Sequence, residues 1–242
     1  MRLLAASGHA ELARDAVADH LASDGLVMIR QGSVSEVRAL LESWTEPFTH
    51  PHDHAPGLTV ITPDICVDTT AGDAGFTRAP LLPHTDRSLH PQPPSVLAAV
   101  MVSPAASGGH TLLADGAAVL GTLRLVHPLT TIGRLRLRTA RGGMVPIFAI
   151  REGLAKIRFR DDPLATPWTD GDQGIVTALR ESISTATRSL PLSAGDGYVL
   201  HNHRYLHGRS SFAGHRQVAR MLASVTCARM SWLNQGFRLA AT

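Results

Sequence analysis

From Pro83 onward the chain runs as short apolar segments separated by turn residues, and that spacing limits the fold more than any other feature. The segments are 96–102, 111–114, 131–139, 144–150, 154–159, 198–201 and 217–226. Arg134-Leu135-Arg136-Leu137-Arg138 alternates strictly, the period of a strand with one face buried and one solvated. Helical spacing is confined to 10–21, a stretch from Ser33 to Trp44, a piece following Asp115-Gly116, and 173–187. Ser33 with Glu36 three positions later has the form of a capping box. A strand is expected over 25–30. Many strands at short intervals, with helices mainly toward the N-terminus, predict a mainly β fold with α decoration: a β-sandwich or jelly roll with N-terminal helices.

At 242 residues the chain has room for one large domain or two small ones, and we expect a single domain over 1–242. The stretch 46–83 differs in composition, with proline, glycine, threonine and aspartate around His50, His52 and His54. So long a polar stretch reads as a substrate-binding loop or lid, with one strand at 58–61. No apolar run reaches the roughly 18 residues of a membrane span. Glu11, Arg14 and Asp15 interrupt any leader-like apolar stretch, so a cytoplasmic location is expected. Cys66 and Cys227 are too few for a disulfide scaffold and read as structural. The net charge is +3, from 23 cationic side chains of which only Lys156 is a lysine. The cations are not clustered as successive phosphates would require, so no nucleic-acid partner is expected. The partner expected is a small molecule; the sequence leaves oligomeric state open.

Three segments carry the chemistry. In Leu82-Pro83-His84-Thr85-Asp86, residues i and i+2 of an extended backbone point the same way, so His84 and Asp86 can address one point. An imidazole and a carboxylate are two of the three ligands in the facial triad of non-haem Fe(II) oxygenases. The second segment, 202–212, follows the apolar strand that begins at Tyr198. His207, placed at the end of that element, is a candidate third ligand, with His201 and His203 as competitors. In the third, Arg216 and Arg220 lie four residues apart and share one face of a strand. They are either two solvated arginines or two guanidinium groups awaiting an anion such as a dicarboxylate.

In order along the chain stand His84-Thr85-Asp86, Pro93-Pro94, Gly108-Gly109-His110-Thr111, His207-Gly208-Arg209-Ser210-Ser211-Phe212, and then Arg216 and Arg220. This order resembles the taurine dioxygenase and clavaminate synthase-like family of Fe(II)/2-oxoglutarate oxygenases, from about Pro83 to Leu222. The resemblance implies a double-stranded β-helix (jelly-roll, cupin-like) core, with iron held by His84, Asp86 and His207. It also implies that Arg216 grips the distal carboxylate of 2-oxoglutarate with help from Thr111. Arg220 would support the same carboxylate or lie nearer the substrate. The interval from His207 to Arg216 is shorter than in many members, which leaves the ranking of the two arginines open.

The activity implied is oxidation, hydroxylation above all, of a C–H bond in a small polar substrate such as an amino acid or biosynthetic intermediate. O2 would be consumed and succinate and CO2 released. An acid at position 86 favours hydroxylation, desaturation or cyclisation over halogenation. Arg87, Arg204, His50, His52 and His54 are candidate substrate contacts, and Asn202 a candidate orienting group. Two other classes fit parts of the pattern. One is a non-catalytic jelly-roll module binding a small ligand; the other is a zinc hydrolase using the same His, Asp and His.

Overall fold

The computed structural model describes residues 3–5, 10–63 and 73–239. Two antiparallel sheets face each other. The larger is ordered Leu3–Ala5, Leu26–Arg30, Gly197–His201, Val96–Ser103, Gln217–Val225 and Thr45–Pro47, with Leu58–Ile61 also paired to Gln217–Val225. Only its first pair is parallel. The smaller is ordered Thr187–Leu190, Thr111–Asp115, Tyr205–Arg209 and Leu81–His84. This is the expected double-stranded β-helix arrangement.

The strand Val96–Ser103 shows why the apolar runs are so continuous. Val96, Ala98 and Val100 pack outward against the helices Ala10–Ser23 and Val34–Glu42, through Val17, Leu21, Val37 and Leu41, with Trp44 just beyond the second helix. Leu97, Ala99 and Met101 point the other way, into the space between the sheets. A strand covered on both faces needs apolar side chains at every position, not at alternate ones. Ser33 caps its helix as a full capping box, accepting from Glu36 N while the Glu36 carboxylate accepts from Ser33 N.

A third cluster lies behind the smaller sheet, where the helices Gly116–Arg124 and Gly174–Ala186 pack beside Ile132, Leu135, Leu137 and Ile157. Helices therefore decorate both halves of the chain, and not only the N-terminal one.

Several elements depart from the sequence expectation. Residues 131–139 do not form one strand: Leu129–Ile132 is a helical turn started after Pro128, and the strand is Arg136–Thr139. The run 144–150 splits at Ile147. Met144–Pro146 pairs with the Arg136–Thr139 strand, whereas Phe148–Arg151 pairs with Leu154–Ile157. Pro146 has no N–H to donate, which allows the chain to leave the first ladder there. Among the strands the sequence did not show are Ala165–Trp168, Thr187–Leu190 and Tyr205–Arg209. Each carries proline, glycine or several polar residues, so none shows an apolar run.

Within 46–83, the described residues hold the end of a strand at Thr45–Pro47, the expected strand Leu58–Ile61, a short 3-10 turn at Ala74–Phe76 and the strand Leu81–His84. Residues 64–72, and Cys66 with them, lie outside the described residues.

Candidate active site

The site lies between the two sheets, in a cavity of about 510 Å³. Backbone register builds one side of it. His207 stands directly opposite His84 in the antiparallel pair Tyr205–Arg209 and Leu81–His84, with ring centroids 4.5 Å apart. His207 therefore does not extend the Tyr198 strand, as the sequence suggested. It belongs to the opposite sheet, reached through a turn at 202–204. Gly208 permits the close pairing, since a Cβ there would stand 2.4 Å from the Leu81 carbonyl oxygen.

The competing histidines go elsewhere. His201 Nε2 donates to the Leu233 carbonyl at 2.8 Å, and the ring packs against Trp232 and His203. Neither His201 nor His203 lines the cavity. Burial lowers the pKa of His201 to about 3.

Asp86 enters from the turn after the Leu81–His84 strand. Asn202 fixes that turn: its side-chain oxygen accepts from Asp86 N at 2.9 Å, and its amide donates to the carbonyls of Asp86 (3.0 Å) and Pro94 (2.9 Å). The Asp86 carboxylate lies 3.9 Å from His207 Nε2 and accepts from Arg220 Nη1 at 2.8 Å. Burial would raise its pKa, but Arg220, with His207 and His84, holds it down at about 2. His207 is lowered to about 3, by burial first and His84 second, so its imidazole is neutral. The Leu82 carbonyl can only accept, so at 2.9 Å it takes the Nδ1 proton of His84; burial lowers the pKa of that imidazole, which favours the form with a free lone pair on Nε2.

Two neutral imidazoles and an ionised carboxylate thus converge, an arrangement of electron-pair donors that suits a divalent cation. Among the described residues no three such groups already stand at mutual ligating distance. They surround one space, and side-chain rotation has to close the 3.9 Å gap between His207 and Asp86.

A second charged group faces the same cavity. Arg216 precedes the strand Gln217–Val225, and a register shift between Gln217 and Val218 separates it from Arg220. Despite that bulge, Arg216, Val218 and Arg220 all line the cavity, so the solvated-arginine reading fails. Arg216 is 6% exposed, its Nε is buried without a partner, and among the described residues no carboxylate pairs with it. Burial lowers its pKa, against an opposing effect of Tyr198. Gly109, with φ 69°, makes room for it: a Cβ there would lie 3.1 Å from Arg216 Cδ. Thr111 is buried in the adjoining strand and lines the same cavity. Arg220, by contrast, is committed to Asp86 and to Thr59 Oγ1, the latter at 3.1 Å.

The loop side is built from side-chain hydrogen bonds. Thr59 Oγ1 donates to Asp53, whose carboxylate also accepts from His50 N and Gly57 N. The chain Asp86–Arg220–Thr59–Asp53 therefore ties the 50–57 loop to the candidate ligand carboxylate. His52 Nε2 lies 2.8 Å from Asp73 Oδ1, and its ring meets Phe76 edge-on.

Sequence reasoning missed the role of Arg209. Its guanidinium donates to the carbonyls of Ala74, Gly75, Thr77 and Ala79, fastening the 74–79 segment beside the cavity. Burial and then Arg216 lower its pKa to about 10. The signal was its place in the His-Gly-Arg stretch, but nothing in one dimension shows which carbonyls it meets. Arg160, in a fork with Asp162, was also missed at the cavity wall.

Among the candidate substrate contacts, Arg204 pairs with Asp115 away from the cavity, and His54 does not line it either. His50, His52 and Arg87 do. Burial first, then Arg220, lowers the pKa of His50 to about 4. Arg87 has a left-handed backbone, φ 54°, a conformation that costs a residue with a Cβ about 1–3 kcal/mol.

The family model described as "Taurine catabolism dioxygenase TauD, TfdA family" matches residues 5–131. Among curated proteins none matches the sequence. Solved structures of like fold include an asparagine oxygenase in complex with Fe(II), 3-hydroxyasparagine and succinate. It is 13% identical with TM-score 0.70, covering 96% of this chain and 86% of that one. PvcB of Pseudomonas aeruginosa is 18% identical with TM-score 0.68, covering 92% and 87%. It is described as an Fe, alpha-ketoglutarate dependent oxygenase from an isonitrile synthetic pathway. A taurine dioxygenase from Burkholderia xenovorans is 17% identical with TM-score 0.66, covering 90% and 83%.

Proposed function

The chain belongs to the taurine catabolism dioxygenase TauD, TfdA family and is an iron- and 2-oxoglutarate-dependent dioxygenase that uses O2; from that premise we propose the roles of its residues and the class of its substrate. His84, Asp86 and His207 hold the iron. Arg216, with the Thr111 hydroxyl, holds the distal carboxylate of 2-oxoglutarate. When bound, iron and 2-oxoglutarate supply the oxidising chemistry, in which one O2 and 2-oxoglutarate give succinate, CO2 and a hydroxylated substrate C–H.

The residues of the chain position and neutralise. His84 keeps Nε2 free because its proton is spent on the Leu82 carbonyl. Asn202 holds the Asp86 turn in place, and Arg220 holds its carboxylate ionised and oriented. Asp86, His207 and Arg216 are themselves buried, so their charges interact more strongly than they would in water.

The observation that carries this reading is Arg216, a buried guanidinium without a carboxylate partner among the described residues, in the same cavity as two imidazoles and an acid. A buried unpaired cation is costly, so Arg216 calls for an anionic ligand, and the distal carboxylate of 2-oxoglutarate meets that need beside the candidate metal ligands. The substrate is a small polar molecule of the amino-acid or biosynthetic-intermediate class, in keeping with the hydroxyasparagine held by the asparagine oxygenase of like fold. We further propose that the chain works as one domain, in the cytoplasm, with 46–83 covering the substrate.

The test is anaerobic addition of Fe(II) and 2-oxoglutarate, which gives a weak visible charge-transfer band. His84→Ala, Asp86→Ala and His207→Ala abolish iron-dependent 2-oxoglutarate turnover. Arg216→Ala raises the 2-oxoglutarate concentration needed for the band more than Arg220→Ala does. The reverse ranking exchanges the two assignments, and a wild type that forms no band with iron loaded overturns the reading.

A further inference from the structure

Arg87 follows the Asp86 carboxylate directly and lines the cavity, yet among the described residues its side chain has neither a hydrogen bond nor an ion pair. Its Nε is shut off from solvent without a partner. The backbone that places it there is left-handed, which a side chain adopts only under constraint. A strained, unpaired arginine gives the folded chain nothing by itself, so its use lies in what enters the cavity.

Charge accounting identifies that occupant. Of the other arginines at the wall, Arg160 meets Asp162, Arg220 meets Asp86, and both terminal nitrogens of Arg209 are spent on backbone carbonyls, although its Nε has no partner. The remaining carboxylate among the described wall residues, Asp73, meets His52. Arg87 and Arg216 are left. In the reading proposed above, on which this inference rests, one carboxylate of 2-oxoglutarate goes to Arg216 and the other lies at the iron. None remains for Arg87, while the iron adds two positive charges beside Asp86. His50, close enough to feel the charge of Arg87, is neutral and offers no negative charge.

We infer that Arg87 is a specificity-determining residue whose guanidinium binds an oxyanion of the substrate, a carboxylate above all, so that the enzyme selects acids over their neutral amides. The contact is a charge-assisted hydrogen bond from a half-buried side chain, whose guanidinium fork matches the two oxygens of the acid.

The experiment uses the Fe(II)- and 2-oxoglutarate-loaded enzyme under anaerobic conditions. The probes are the protein L-amino acids, each beside its own α-amide, with aspartate and glutamate beside asparagine and glutamine. Binding is read as perturbation of the visible band and by calorimetry, and turnover as succinate formed on admitting O2. At least one acid perturbs the band of the wild type, and its amide binds roughly tenfold or more weakly, the scale of a lost charged hydrogen bond. Arg87→Gly suits the left-handed backbone and so folds at least as stably as the wild type. It keeps the band formed by 2-oxoglutarate alone and loses the preference for acid over amide. Arg87→Gln keeps the side-chain length and loses the same preference.

Acid and amide binding alike in the wild type overturns the inference, as does a preference that survives in Arg87→Gly or a panel in which no acid perturbs the band. Failure of the cofactor reading looks different: the band does not form in the wild type before any amino acid is added, and the inference falls with it.

Discussion

His84, His207 and Thr111 reach the cavity from paired strands, whereas Asp86, Arg87 and His50 reach it from turns and loops, and different forces hold the two groups. On the strand side, backbone ladders set every position: His84 faces His207, and Thr111 faces Arg209, whatever the neighbouring side chains are. On the loop side the positions depend on individual side chains, namely Asn202 for the Asp86 turn, Asp53 and Thr59 for the 50–57 loop, and Arg209 for 74–79. A ladder spreads its stabilisation over many bonds, so one substitution seldom breaks it. A hydrogen-bond hub concentrates it in one residue, and one substitution removes it. The candidate ligands of the metal are thus divided between a stiff wall and an adjustable one.

The strand side breaks only where atoms collide. Gly208→Ala puts a methyl 2.4 Å from the Leu81 carbonyl oxygen, so the two histidine strands must separate. The expected cost is about 3 kcal/mol, at the upper end for overpacking, and urea unfolding measures it. Iron affinity falls with it.

The loop side breaks through its hubs. Asn202→Ala strands the Asp86 N–H and the carbonyls of Asp86 and Pro94, at about 1–3 kcal/mol for a buried group left unmade. The sharper readout is iron binding, which weakens at least tenfold while the two sheets keep their protection from hydrogen exchange.

Acid reads the same division from the strand side. His201 has a folded pKa of about 3 against an ordinary 6.5, so the unfolded chain binds a proton there that the native chain refuses. Its contribution is complete above about pH 6.5 and is lost progressively as pH falls toward 3. His201→Gln retains a donor for the Leu233 carbonyl and removes one proton from the balance. Stability then declines less steeply between pH 6 and 4, by about 1.4 kcal/mol per pH unit. Denaturant midpoints across that range measure the slope.

The smallest global effect belongs to Arg209→Met. The carbonyls of 74–79 lose their donor but lie where water can replace it, so the unfolding midpoint moves little. Hydrogen exchange in that segment accelerates, and the apparent KM for substrate rises roughly tenfold as the segment frays. A change confined to 2-oxoglutarate affinity, with no change in exchange at 74–79, removes Arg209 from the loop side.

Period and punctuation carried much of the architecture. The Ser33–Glu36 capping box, the continuous run at 96–102 and the helix expected at 173–187, found at Gly174–Ala186, stand where sequence placed them, because local pattern and burial point the same way there. The misplaced elements are those in which a neighbour outweighs local preference. Thr130 and Thr131 are β-formers, yet the turn after Pro128 winds them into a helix that buries Ile132. The strand Ala165–Trp168 contains Pro167, and only the waiting edge at Arg136–Thr139 makes it a strand.

For the site, motif order in the sequence was enough to single out His84, Asp86, His207, Thr111, Arg216 and Arg220, since residue types and their succession are one-dimensional facts. Choosing His207 over His201 and His203 on the residues alone was not possible. That choice depends on a turn at 202–204 that sends the chain from one sheet to the other, and a turn of that kind is decided by what both sheets bury. The partners of Arg220, Arg209 and Arg87 were equally hidden. Whether a long cation meets a carboxylate, a row of carbonyls or nothing depends on distances between segments far apart in sequence, and only the packed fold sets those distances.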